Sequence, residues 1–338
     1  MPDQPKVVIT DYDFGDLEVE RSILEPAGIR VVGLQVKSEQ ELIPEARSCD
    51  AVINQYAQVG AATIAAMERC KVIARYGVGV DIVDVEAATA RNILVTNVRD
   101  YCTEEVADHA MALLLALARR LPQYDRASHA GTWHWKSGRP IHRLHGRVIG
   151  VVSFGRIGRA IAARGKAFGL RVIAYDPNVD DAVLAAHGAE RADRDAVIAE
   201  SDYLMMQVPM TPETRHFLGE AELGRMKRGA IIINTGRGPT IDNAALAQAL
   251  QSGHIAAAGL DDLEEEPAKR RAWEPASNPL MALDNVLVTP HSAYYSEESI
   301  HMAREVAAQE VLRVLTSKRP HNPVNRVRLA DGSYSRSA

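Results

Sequence analysis

Gly150-Val151-Val152-Ser153-Phe154-Gly155-Arg156-Ile157-Gly158 ends an apolar run, Arg147–Val152, and opens a stretch with helical character. Its spacing matches the dinucleotide fingerprint GxGxxG, with Ser153 in the place of the first glycine. Gly155 would let the backbone approach a pyrophosphate, and Gly158 would let the helix pack closely on its strand. The amides of Arg156 and Ile157 would then face the phosphates at the helix N-terminus. Serine in the first place is a departure, since that glycine serves a tight turn. The next apolar run, Val172-Ile173-Ala174-Tyr175, ends in Asp176, 23 residues after Ser153 and near the spacing of about 20 expected of a ribose-binding acid. A carboxylate there accepts from both ribose hydroxyls and repels a 2′-phosphate, so NAD is favoured over NADP.

Outward from this motif, short β-branched runs alternate with amphipathic stretches in both directions. Upstream, strands are predicted at Lys6–Thr10, Arg30–Leu34, Ala51–Asn54, Val72–Arg75 and Leu94–Thr96. Helices are predicted between them near Leu17–Leu24, Glu39–Ala46, Thr63–Glu68 and Asp84–Ala90. Thr103 reads as the N-cap of a long helix to about Leu121, with Glu104 and Glu105 where the helix dipole favours negative charge. Downstream strands are predicted at Arg147–Val152, Arg171–Tyr175, Tyr203–Val208, Ala230–Asn234, Ala257–Asp261 and Val286–Thr289. A last helix, roughly Ser296–Leu315, precedes a polar tail expected to fray. The pattern predicts an α/β chain of two doubly wound parallel-sheet domains joined by long helices, with ligands beyond the carboxyl ends of the strands in a cleft between them.

Composition excludes several classes. With 338 residues, 46% of them apolar and 25% charged, the chain can bury cores without disulfide or metal staples. A net charge of −5 gives no footprint for nucleic acid. The short basic run Lys269-Arg270-Arg271 is flanked by acids and reads as a solvated loop. Cys49, Cys70 and Cys102 are odd in number and far apart in sequence, and no apolar run approaches the ~20 residues that span a bilayer. A cytoplasmic protein without membrane contact is the expectation. His134, His142 and His145 lack carboxylate or thiol partners at ligand spacing, so no metal site is expected, and a loop with packed Trp133 and Trp135 is the simpler reading.

Three segments end predicted strands of the second series: Ile233-Asn234-Thr235-Gly236-Arg237-Gly238, then Gly259-Leu260-Asp261-Asp262-Leu263-Glu264-Glu265-Glu266-Pro267, then Thr289-Pro290-His291-Ser292. Reducing a 2-keto acid needs a proton donor at the carbonyl oxygen, a cation beside carboxylate or oxygen, and an acid that steadies the donor. Histidine is the natural donor near neutral pH. These segments resemble the D-isomer-specific 2-hydroxyacid dehydrogenases, as do Val208-Pro209-Met210-Thr211-Pro212-Glu213-Thr214 and Arg75-Tyr76-Gly77-Val78-Gly79-Val80-Asp81. Within that family, Asp100 to His109 and Thr289 to Glu297 look most like the C-terminal-binding-protein branch.

The resemblance implies a flavodoxin-like substrate domain, 1–100 plus 292–338, and a Rossmann NAD-binding domain, 101–291. It implies a homodimer that oxidises or reduces a small 2-hydroxy or 2-keto acid. Arg237 matches the substrate-orienting arginine, His291 the acid/base, and Glu266 the acid that pairs with it, with Glu264 and Glu265 as nearby decoys. Val208, Pro209, Thr214, Thr235, Gly236 and Asp261 match cofactor contacts beside Gly155 to Gly158 and Asp176. Arg75, Val78, Gly79 and Tyr294 match the substrate side. Asp108 and His109 are expected to serve packing and capping. Tyr294, Ile82 and Gln207 depart from the branch, which often has Trp, Asn and His there. Glyoxylate, hydroxypyruvate, 3-phosphoglycerate and bulkier keto acids all remain candidate substrates. Two rivals stand beside this expectation: an NAD-sensing interaction protein, and a formate dehydrogenase, whose histidine pairs with glutamine rather than with Glu266.

Overall fold

The computed structural model describes residues 4–270 and 272–336, so Arg271 of the basic run lies outside the described residues. The chain divides into two compact units: Met1–Cys102 with Lys269–Arg271 and Ser296–Ala338, and Thr103–Ala268 with Ala272–Tyr295. Each is organised around a wholly parallel sheet.

In the first unit, β1 (Lys6–Ile9), β2 (Arg30–Gly33), β3 (Ala51–Asn54), β4 (Val72–Arg75) and β5 (Leu94–Thr96) lie in the order β2-β1-β3-β4-β5. That is the flavodoxin-like order. All residues of β1, β3, β4 and β5 are buried, as parallel strands covered on both faces must be.

The second unit holds β6 (Val148–Val152), β7 (Arg171–Tyr175), β8 (Glu190–Arg191), β9 (Tyr203–Met206), β10 (Ala230–Asn234), β11 (Ile255–Leu260) and β12 (Val286–Val288). Their order, β12-β11-β10-β9-β6-β7-β8, is that of a Rossmann sheet, with the direction of winding reversed between β6 and β9. Period-two alternation feeds two apolar layers. Leu204, Met206 and Ile232 enter one, while Tyr203, Met205, Ile231 and Ile233 enter the other. The helix Thr103–Ala118 packs on this second layer, close enough that a Cβ at Gly259 would sit 3.0 Å from Leu113.

Four expectations need correction. The helix that begins at Thr103 has Thr103 as its first residue rather than its cap, and it ends at Ala118. Arg120 then adopts a left-handed conformation (φ 55°), and a separate helix, Leu121–His129, starts with Pro122 in its first turn, where proline's missing N–H costs nothing. The two-residue strand β8 was missed because Glu190 and Arg191 are exposed and charged and carry no β pattern. The tail does not fray among the described residues. Asn325 accepts from the Val95 amide at 2.8 Å, Ser335 is buried, and the Arg326 guanidinium stacks 3.8 Å from the Tyr334 ring centroid. Finally, Trp133 and Trp135 do not pack: they are 90% and 65% exposed.

The helix Glu297–Leu315 opens with a capping box at Ser296 and Ser299 and packs on the helix Glu18–Leu24 and on β3 and β4. A buried ion pair locks it there. Arg304 Nε and Nη2 reach the two oxygens of Glu20 at 3.0 and 2.8 Å, and Glu20 is fully buried. Burial opposes the Arg304 charge, but its hydrogen bonds to Glu20 and Asp16 outweigh it and hold the guanidinium above its usual range. Burial and then the Glu20 charge push the Tyr76 phenol well up, so it stays a donor to Glu20 at 2.8 Å. Removing one partner strands a buried charge, so Arg304→Leu is expected to cost about 3–5 kcal/mol in urea unfolding, with most of the loss recovered in the Arg304→Leu/Glu20→Leu double variant.

Candidate active site

The carboxyl ends of β6 and β7 build one half of the site. Ser153 follows β6 with φ 75°, so the first fingerprint position does require the left-handed conformation that glycine supplies at no steric cost. Its amide donates to the Tyr175 carbonyl at 2.8 Å, and the turn keeps its shape with a serine in place. A Cβ at Gly158 would lie 2.3 Å from the Ser153 carbonyl oxygen, which is why that helical position admits no side chain. At Gly155 a Cβ would meet nothing within 4 Å, leaving open space over the N-terminus of the helix Arg156–Ala167. Asp176, 7% exposed, accepts from the Phe154 amide at 2.8 Å and the Asn178 amide at 2.9 Å. A carboxylate has about four acceptor sites, so two remain for ribose hydroxyls. Open space at a helix N-terminus and a part-filled carboxylate beside it fit a dinucleotide.

The other half stands on β10, β11 and β12, which are neighbours in register, with Asn234 beside Leu260 and Leu260 beside Val288. The ladder runs on past the strands: Asp261 N donates to Asn234 O at 2.9 Å, Thr289 N to Leu260 O at 2.9 Å, and His291 N to Asp261 O at 2.7 Å. Arg237, Asp261, Asp262 and His291 therefore leave one edge of one sheet. Arg237 is half-buried, and its carbonyl is held by Asn234 Nδ2 (2.9 Å) and Thr240 Oγ1 (2.6 Å). A Cβ at Gly238 would lie 1.9 Å from the Leu263 carbonyl, so the arginine loop and the acidic loop touch through backbone.

The acids of the second segment part company. Asp261 turns both oxygens to the histidine loop, accepting from Thr289 Oγ1 (2.6 Å), Ser292 N (2.9 Å) and Ala293 N (2.9 Å). His109 buttresses this cluster, its Nε2 2.9 Å from Thr289 Oγ1. Asp262 Oδ2 lies 3.4 Å from His291 Nδ1. Glu264 faces His216 at 2.5 Å, and Glu265 accepts from Asn278 Nδ2 at 2.8 Å. Glu266 is half-buried with φ 49°, its amide bonded to the Leu263 carbonyl at 2.8 Å. His291 is itself left-handed (φ 55°), with the Tyr294 ring edge-on at 6.1 Å. Reading by residue type passed over Asp262 and the His109 buttress. Alternation at a strand end, which sends Asp261 and Asp262 to opposite sides, was the available signal.

Of the remaining cofactor-side residues, Thr214 Oγ1 donates to the Pro209 carbonyl at 2.6 Å and ties its loop on itself. Val208 is buried, and its carbonyl lies 3.1 Å from where a Gly236 Cβ would be. Gln207 Nε2 donates to Thr235 Oγ1 at 2.7 Å. Asp108 pairs with Arg164 at 2.6 Å on the helix surface. Among the described residues no group of three His, Cys, Asp or Glu could hold a metal ion, and no helix is long and apolar enough to cross a membrane.

In the first unit, Arg75 ends β4 and folds under its own loop: a Cβ at Gly77 would meet Arg75 Nη1 at 2.4 Å. Arg75 is only 9% exposed, its Nε has no hydrogen-bond partner, and no carboxylate pairs with it among the described residues. The carbonyls of Gly77 and Val78 accept from Val98 N (3.1 Å) and Asn97 Nδ2 (2.7 Å). The amides of Val78 and Gly79 donate to no acceptor among the described residues.

Residues 111–293 match the family profile described as D-isomer specific 2-hydroxyacid dehydrogenase, NAD binding domain. The chain belongs to that family. It is 38% identical to a D-3-phosphoglycerate dehydrogenase of Methanocaldococcus jannaschii across 95% of its own length, but it spans only 59% of that relative. It is also 38% identical to a glyoxylate reductase of Korarchaeum cryptofilum, covering 85% of this chain and 86% of the relative. A D-lactate dehydrogenase of Aquifex aeolicus, solved with NAD and lactic acid, superimposes with a TM-score of 0.84 at 28% identity, over 92% of this chain and 95% of that one. Residues 111–293 are thus the NAD-binding domain of a D-2-hydroxyacid dehydrogenase family member.

Ser153 marks a difference from the glycine fingerprint that can be measured. Ser153→Gly is expected to hold or raise stability, by up to about 1 kcal/mol, because strain relief outweighs the added freedom of the unfolded chain. Ser153→Val should lower it by about 1–2 kcal/mol in denaturant unfolding, since a β-branched side chain resists φ 75°.

Proposed function

We propose that the protein is an NAD-dependent D-2-hydroxyacid dehydrogenase with His291 as its acid/base, Arg237 as the cation that orients the substrate, and Glu266 as an acid supporting the imidazolium. The observation that carries this reading is the shared edge of β10, β11 and β12, from which an arginine, a run of acids and a histidine all depart beside a Rossmann phosphate-binding turn. When bound, NADH supplies the hydride for C2 of a 2-keto acid, and NAD accepts it in the reverse direction. Gly155, Arg156, Ile157 and Gly158 would take the phosphates, Asp176 the adenosine ribose, and Val208, Pro209, Thr214, Thr235, Gly236 and Asp261 would line the rest of that site.

The protein's own work is protonic and electrostatic. His291 gives a proton to the substrate oxygen in reduction and removes it in oxidation. Arg237 holds the developing charge on that oxygen or its carboxylate neighbour. Two donor sets in the first unit suit a carboxylate: the buried Arg75 guanidinium, and the Val78 and Gly79 amides that no protein acceptor occupies among the described residues. Tyr294, against the His291 ring, would border the same substrate.

Substrate choice among glyoxylate, hydroxypyruvate, 3-phosphoglycerate and bulkier keto acids belongs to this proposal, as does membership of the C-terminal-binding-protein-like branch. Relatives named as dehydrogenases and reductases favour turnover over a purely NAD-sensing role. The exposed Trp133 and Trp135 support a homodimer, since large aromatic surfaces seldom stay in water.

His291→Ala is expected to lose about 10²–10⁴ in turnover with whichever keto acid the wild type reduces, while NADH binding by fluorescence titration survives. Near-normal turnover in that variant would refute the assignment. Arg75→Met should raise KM for the keto acid by about tenfold or more with a smaller effect on kcat, the signature of lost substrate binding; an unchanged KM would remove Arg75 from the substrate.

A further inference from the structure

Asp262 is a buried acid with unfinished bonding. It follows Asp261 at the end of β11, is 6% exposed, and uses Oδ1 to accept from the Leu263 amide at 2.9 Å. Its Oδ2 is fully enclosed and makes no hydrogen bond, yet it lies 3.4 Å from His291 Nδ1. Buried carboxylate oxygens are ordinarily satisfied, and one left bare is costly. The backbone does not let the two groups drift apart: His291 N is bonded to the Asp261 carbonyl at 2.7 Å, and the Asp261 carboxylate pins Ser292 and Ala293. A small rotation of the ring or the carboxylate closes the gap to a charge-assisted bond. Glu264 and Glu265 cannot substitute, because His216, Asn243 and Asn278 engage them.

We propose that Asp262 is a positioning residue that holds the proton of His291 on Nδ1, so that Nε2 is the nitrogen that exchanges a proton with the substrate. This rests on the reading of His291 as acid/base and adds a second carboxylate to the one assigned to Glu266. In the neutral imidazole, an acceptor at Nδ1 selects the Nδ1–H tautomer and leaves the Nε2 lone pair ready to act as base. After protonation the same carboxylate faces the imidazolium, so the ring keeps one orientation through both halves of the reaction. An asparagine at 262 would keep the shape but lose the charge, and its amide could turn an N–H toward Nδ1 and favour the wrong tautomer.

The test uses the full-length protein labelled with ¹⁵N-histidine, in wild type and Asp262→Asn, with His291→Gln assigning the resonance and thermal melting and NADH binding checking the fold. Wild-type His291 should read as the Nδ1–H tautomer, and that population should fall in Asp262→Asn. For keto acids that are turned over, kcat should drop by about tenfold or more while KM stays within about threefold; wrong-tautomer histidines in other enzymes lose more than this. An Nε2–H tautomer in the wild type, or an unchanged spectrum in Asp262→Asn, overturns the proposal even if His291→Gln abolishes turnover. The tautomer shift without turnover of any keto acid, in contrast, would uphold Asp262 and remove the dehydrogenase assignment.

Discussion

Parallel strands buried on both faces cannot keep polar side chains along their length. In both sheets every inward and outward position of the central strands is apolar, so polar chemistry is displaced to the carboxyl ends, where the chain leaves the sheet. Arg237, Asp261, Asp262 and His291 all stand within three residues of such an end. Their geometry is then inherited from strand register rather than from flexible loops. The hydrogen bonds that continue past β10, β11 and β12 show how: each loop begins as an extension of the ladder before it turns away.

Asp261 holds that arrangement together. With one carboxylate it satisfies the Thr289 hydroxyl and two amides, and with its carbonyl it fixes the amide of His291. A left-handed residue at His291 would ordinarily be strained, and this set of bonds over-determines it. The same logic recurs at Ser153, where a left-handed serine is retained by the Tyr175 carbonyl and by close contact with Gly158. Both non-glycine exceptions sit where the protein meets small molecules, which is where local conformational rules are most often broken.

The first unit shows a different economy. Arg304 and Glu20 neutralise each other inside it, while Arg75, equally buried, is left without a counter-charge among the described residues. Charges of the first kind dock a helix. Those of the second kind suit an anion from outside, and the free Val78 and Gly79 amides beside Arg75 share that suitability.

Read alone, the amino-acid order determined the two sheets, most strand limits to within a residue or two, and the segments that carry the chemistry. Hydrophobic alternation and glycine spacing are local properties and survive in one dimension. Ala51–Asn54, Val72–Arg75, Arg171–Tyr175 and Ala230–Asn234 were legible for that reason. Tertiary structure alone decided the break at Arg120, the docking of the tail on β5, the exposure of Trp133 and Trp135, and the destinations of Asp261, Asp262, Glu264 and Glu265. Adjacent acids in one loop are chemically alike, and no pattern of residue types separates them. Which oxygen meets which nitrogen depends on turn geometry and on neighbouring strands that are distant in sequence.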